Sequence, residues 1–167
     1  FIKTSRKMGK KVAIIGGGNL GTAIAEGLLK SKFSKAADII VTKRNTSTLK
    51  SLKDRGVGIS DDNSVAVKKS EVIILAVKPF QVADVLNGVK KELTADKILI
   101  SVVTGVLISE MEGIVKKNIA YFRAMPNTAI AIQESMTCIC SKDADNATVK
   151  YVNDLFSTVG KVVTIEE

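Results

Sequence analysis

The sequence has no histidine and no tryptophan, and its 167 residues include only two prolines and two cysteines. Each shortage removes a class of function. Without histidine, the commonest general acid–base side chain is missing, and most nucleophile–base triads go with it. Zinc loses its main nitrogen ligand, and Cys138 and Cys140, two apart in MTCICS, are too few to close a metal site, so none is expected. That stretch alternates like a strand, so both thiols are expected on one face, buried and free, in a reducing compartment. No apolar run approaches the roughly 20 residues of a transmembrane helix, and residues 1–7 lack the apolar centre of a signal peptide. No membrane partner and a cytoplasmic location are expected.

What the chain does have is small and branched aliphatics: 46% of residues are hydrophobic and only 4% aromatic. Such residues suit a sheet covered on both faces, and the length suits one domain with a full core. The formal charge of +8 raises the question of nucleic acid. Lys3, Arg6, Lys7, Lys10 and Lys11 fall in an acid-free opening, leaving 20 basic against 17 acidic side chains elsewhere. With the body near balance and no basic stripe interleaved with aromatics, nucleic acid is not an expected partner. Met8 stands just ahead of the first apolar run. Residues 1–8 are therefore expected to be a tag or disordered lead, and residues 9–167 one domain.

Along that domain, apolar runs at 11–16, 38–43, 58–60, 71–77, 97–103, 119–125, 136–141 and 162–166 read as strands. Helical patterns lie between them at about 19–31, 46–55, 63–69, from Pro79, 107–116 and 145–159. In the first helix Leu20, Ala23, Ile24, Gly27 and Leu28 share a face. Strands separated by helices imply right-handed crossovers and a doubly wound, mostly parallel α/β sheet. Ligands of such sheets bind at the carboxyl ends of the strands. The loops 16–21, 42–46, 77–79, 103–106 and 125–128 all fall on that edge.

The first of these carries Gly16-x-Gly18-x-x-Gly21 between strand and helix. The first glycine permits the tight turn, the second lets backbone approach a pyrophosphate, and the third lets the helix pack on the strand. A dinucleotide is the expected ligand, against the alternative of a tight turn that holds nothing. About 20 residues on, an NAD-preferring site places an acid for the ribose hydroxyls. Here the second strand ends in Thr42-Lys43-Arg44-Asn45-Thr46, without an acid and with two cations where a 2′-phosphate would lie. Arg grips phosphate by paired hydrogen bonds, so NADP is favoured, with NAD as the alternative. The plain reading of that loop is a solvated basic turn with Asn45 or Thr46 capping the next helix.

GGGNLGTAIAEGLL, LAVKP (75–79), SVVTGV (101–106), RAMPNTA (123–129) and FSTVGKVVTIEE (156–167) stand in the order seen in pyrroline-5-carboxylate reductases. The chain resembles that family from residue 11 to its end. Enzymes of the family use NADPH or NADH to reduce the cyclic imine 1-pyrroline-5-carboxylate to proline. The resemblance implies pyrophosphate contacts from Gly18, Asn19 and Leu20, and 2′-phosphate contacts from Arg44 and Asn45. It also implies that Asn63 lies near the adenosine half and that Ala76, Val77, Lys78 and Pro79 line the cofactor. Thr104 and Gly105 would reach towards the nicotinamide, and Asn127 towards the nicotinamide and the substrate mouth. Plain alternatives are a solvated Lys78, a turn-forming Asn127 after Pro126, and an Asn63 that merely caps its helix.

Family members continue into a helical domain that supplies the substrate loop and the dimer contacts, whereas this chain stops at Glu167. The expectation is a cofactor domain whose substrate pocket is completed elsewhere, in a homo-oligomeric full-length protein. No catalytic side chain is assigned within these residues, because a protonated cyclic imine already accepts hydride and chiefly needs positioning. The rival readings are a reductase of the β-hydroxyacid dehydrogenase type and a non-enzymatic NADP-binding sensor or scaffold.

Overall fold

The computed structural model describes residues 9–167; the lead expected over residues 1–8 lies outside the described residues. Strand β1, Val12–Ile15, is buried at all four positions. Val12 and Ile14 pack on one side with Ile24, Leu28 and Phe156, while Ala13 and Ile15 pack on the other with Leu86, Leu99 and Met111. Two cores explain why this strand reads as a continuous apolar run instead of alternating.

The remaining strands are β2 (Ile39–Thr42), β3 (Gly58–Ser60), β4 (Val72–Leu75), β5 (Ile98–Ser101), β6 (Ala120–Met125), β7 (Ser135–Lys142) and β8 (Gly160–Thr164). Helices α1 (Asn19–Lys30), α2 (Lys50–Asp54), α3 (Asn63–Lys68), α4 (Val82–Val89), α5 (Ile108–Val115) and α6 (Asn146–Phe156) connect them. They form one sheet in the order β3-β2-β1-β4-β5-β6-β7-β8. Strands β1 to β6 run parallel, which bears out the doubly wound reading.

Strand β7 departs from that pattern and pairs antiparallel with β6. A parallel return needs a crossover of about a dozen residues or more. Residues 126–134 offer only a short 3₁₀ turn, Thr128–Ile132, so the chain folds straight back. Two predicted strands end early, at Leu75 and Ser101, and release Ala76–Val77 and Val102–Val103 into the loops of the carboxyl edge. The helices predicted at 46–55 and from Pro79 each open with a 3₁₀ turn.

Both cysteines are free, but only Cys140 is buried; Cys138 is half-buried, which corrects the expectation for that thiol. Cys138 lies opposite Val163 of β8, and Val163 is itself open to solvent, so among the described residues that part of the sheet stays partly uncovered. Among the described residues no helix is long and apolar enough to cross a membrane.

Both tyrosines titrate high. Burial, and secondarily the Glu71 carboxylate, push the Tyr151 phenol up to about 12. Burial and then the Glu112 charge raise Tyr121 as well. A folded-state pKa above the unfolded value of 10.0 gives stability that is complete below pH 10 and lost as pH rises towards 12. Denaturation followed across that window is expected to show falling stability, with a shallower fall in Tyr151→Phe.

Candidate cofactor-binding site

The register of β1 on β2 sets Ile15 beside Thr42. The turn that leaves β1 is bonded to the end of β2: the Gly16 and Gly17 N–H groups both donate to the Thr42 carbonyl, at 3.2 and 2.7 Å. Gly16 takes a φ of +111°, and a Cβ there would stand 2.3 Å from the Ala76 carbonyl oxygen. A Cβ at Gly21 would stand 2.0 Å from the Gly16 carbonyl oxygen, so α1 can approach β1 only through a glycine. Gly18 is different. Its φ is −81°, and a Cβ there would meet nothing within 4 Å. Its backbone faces open space in the cleft, as a backbone reserved for a ligand should.

With Gly16 and Gly17 already bonded, the N–H groups of Gly18, Asn19 and Leu20 remain, and no acceptor among the described residues is seated on them. The first turn of α1 holds no acid, and Gly18 offers no side-chain cap. Oriented N–H groups at a helix start, without a competing carboxylate, suit an anion.

A cleft of about 1000 Å³ runs along the carboxyl ends of the strands from this turn. Gly16, Gly18, Asn19, Leu20, Lys43, Arg44, Asn45, Asn63, Ala76, Val77, Lys78, Pro79 and Thr104 all line it. At one end the buried Thr42 hydroxyl donates to Asn63 Oδ1 at 2.6 Å, tying the start of α3 to the end of β2. The α3 cap is Asp62, whose Oδ1 accepts the Ser64 and Val65 N–H groups, so Asn63 is not a mere cap. Asn45 does cap: its Oδ1 accepts from Ser47 N–H at 3.2 Å. The Arg44 and Lys43 side chains have no hydrogen-bond or ion-pair partner among the described residues.

Three sequence-predicted residues stand outside the lining. Gly21 serves helix packing, as its place in the fingerprint implies. Gly105 holds a φ of +76° in the loop after Thr104. Asn127 accepts the Ala129 N–H on Oδ1 at 3.2 Å and donates its own N–H to Ser135 Oγ at 3.2 Å, which is the turn-forming role. Gly17, Thr42 and Val103 also line the cleft, from loops that the sequence placed on this edge without singling them out, whereas Ile15, Asp61, Gln81, Val85 and Val102 line it unanticipated. Thr42 and Val102–Val103 carried a signal, as the last residues of apolar runs. Asp61 and Gln81 carried none, because neither stands at an offset that a motif specifies.

Residues 11–105 match the family described as NADP oxidoreductase coenzyme F420-dependent. The chain belongs to that family. Pyrroline-5-carboxylate reductase 2 of Dictyostelium discoideum is 36% identical to it over 100% of this chain and 61% of that protein. A pyrroline-5-carboxylate reductase from Coxiella burnetii superposes with a TM-score of 0.90 at 28% identity, over 95% of this chain and 60% of that one. Plasmodium falciparum pyrroline carboxylate reductase, solved with NADP bound, superposes at 0.84 with 29% identity, over 96% and 59%. The motif resemblance is borne out by these matches. The chain spans about three-fifths of the length of each of these three relatives.

The glycine contacts separate packing from ligand approach. Gly21→Ala is expected to destabilise the fold by about 1–3 kcal/mol or more, since the clash is with backbone. Gly18→Ala is expected to cost less, about 1 kcal/mol or under, because its site is open and its φ ordinary and only the N-cap preference for glycine over alanine is lost. Parallel melts of the two variants check the contrast.

Proposed function

We propose that this chain is the NADP(H)-binding domain of a reductase that converts 1-pyrroline-5-carboxylate to L-proline in the cytoplasm. One observation carries the reading: a single cleft joins the open Gly18 backbone to the acid-free Lys43-Arg44-Asn45 turn. That cleft lies in a chain whose whole length is similar to such reductases. Its volume stands at the top of the usual range for small-molecule sites, about 300–1,000 Å³.

The pyrophosphate is assigned to the N–H groups of Gly18, Asn19 and Leu20, and the 2′-phosphate to Arg44, Lys43 and Asn45. Asn63 borders the ribose, with its Oδ1 already taken by Thr42 and its amide N–H groups left to donate. Ala76, Val77, Lys78, Pro79 and Thr104 flank the nicotinamide end. Gly105 shapes the same loop, and Asn127 is placed at the substrate mouth through the turn that it organises. Reduced nicotinamide, when bound, supplies the hydride that the imine carbon accepts.

The chain's own residues contribute position and dryness. Val77, Val102 and Val103 form apolar wall that excludes water, and the phosphate contacts fix depth and register. Holding reactants at near-attack distance is worth roughly 7–11 kcal/mol, which removes the need for a histidine. We assign no catalytic acid here. The substrate carboxylate pocket and the subunit contacts of a homo-oligomer belong to the portion of such reductases that this chain does not span.

Titration calorimetry is expected to show NADPH binding more tightly than NADH. Arg44→Ala should weaken NADPH about 10- to 100-fold, the worth of charge-assisted hydrogen bonds, and leave NADH nearly unchanged. Gly18→Ala should weaken both by blocking the pyrophosphate. Tighter binding of NADH to the unaltered chain would overturn the NADP assignment. When the chain is joined to the remaining portion of such a reductase, NADPH oxidation should depend on pyrroline-5-carboxylate.

A further inference from the structure

The second strand ends without an acid, yet the sheet brings one to the same place from its neighbour. Parallel pairing sets Thr42 of β2 beside Ser60 of β3, and the Lys43 N–H donates to the Ser60 carbonyl at 3.0 Å. Three residues later Asn63 is held by the Thr42 hydroxyl at 2.6 Å. Asp61 sits between these two ties. Its segment is therefore pinned at both ends to residues 42–43, and Asp61 lines the cleft together with Lys43, Arg44 and Asn45.

The two adjacent acids have different fates. Asp62 spends its carboxylate on the α3 cap. Asp61 is exposed and makes no hydrogen bond or ion pair among the described residues. A carboxylate at a ribose edge accepts hydrogen bonds from an unphosphorylated 2′-hydroxyl and repels a 2′-phosphate. Nucleotide-binding folds of this type usually draw that carboxylate from the end of β2. Here the β2 end is cationic, and the carboxylate arrives from the end of β3.

We propose that Asp61 is a specificity-determining residue of the adenosine end of the cleft, where it receives the 2′-hydroxyl of NADH and opposes the grip of Lys43 and Arg44 on the 2′-phosphate of NADPH. The proposal rests on the cofactor reading above and deepens it. The site is a compromise: it prefers NADPH but keeps measurable affinity for NADH. Removing Asp61 should sharpen the preference.

The test is calorimetric titration of the unaltered chain, D61N and D61E with NADPH and with NADH at one ionic strength. D61N is expected to tighten NADPH about three- to tenfold, the scale of a charge acting across several ångströms of partly solvated cleft, and to loosen NADH. D61E keeps the charge and should stay near the unaltered preference. A D61N variant that moves both dinucleotides by the same factor, or moves neither, overturns the role of Asp61. An unaltered chain that binds neither dinucleotide overturns the cofactor reading itself, so the two failures are distinct.

Discussion

The Thr42 carbonyl accepts two N–H groups, from Gly16 and Gly17, and the geometry of the cleft depends on that shared acceptor. It follows from the parallel register that sets Ile15 beside Thr42. Once those two donors are committed, the chain must leave β1 through a left-handed glycine, and α1 must start close enough that only Gly21 fits beneath it. The N–H groups of Gly18, Asn19 and Leu20, which follow, have no acceptor among the described residues. The same threonine fixes the other end of the cleft through its hydroxyl, which holds Asn63. One buried residue thus ties the Gly16–Gly17 turn to Asn63 at the start of α3.

Much of this was legible in the sequence. Buried parallel strands announce themselves as short continuous apolar runs, and a glycine fingerprint between strand and helix has few other uses. The basic pair Lys43–Arg44 could be placed because its distance from the glycines has a structural meaning. Other features depend on register, which a linear reading does not carry. Asp61 is adjacent to Lys43 only because β3 pairs with β2. The antiparallel turn of β7 follows from the shortness of residues 126–134, and β7 supplies Ser135, whose Oγ accepts the Asn127 N–H. In that turn Asn127 also accepts the Ala129 N–H on its Oδ1.

Absences in the composition take on a more specific sense beside the cleft. The missing histidine excludes a large class of proton-transfer chemistry, and the cleft is lined by glycine backbone, aliphatics, amides, hydroxyls, cations and one carboxylate, Asp61. Three cations line the cleft, Lys43 and Arg44 after β2 and Lys78 after β4, with the start of α1 following the strand between them.

The capping pattern of the helices points the same way. Helices α3 and α6 each begin with an aspartate whose side chain accepts from the first turn: Asp62 does so for α3, and Asp145 for α6 through Thr148 N–H at 2.7 Å. Helix α1, the longest of the six, begins with Gly18, has no side-chain cap and carries no acid in its first turn. An aspartate in place of Gly18 would add a side-chain cap for a gain of about a few tenths of a kcal/mol, since glycine is itself accepted at a helix N-cap. It would also fill the N–H groups from within and set a negative charge where an anion must arrive. Forgoing that cap is costly only while the helix start has no anion. A bound anion would satisfy those donors and stabilise the folded chain by mass action, so a long helix that starts without a side-chain cap or an acid of its own is suited to being capped by a ligand.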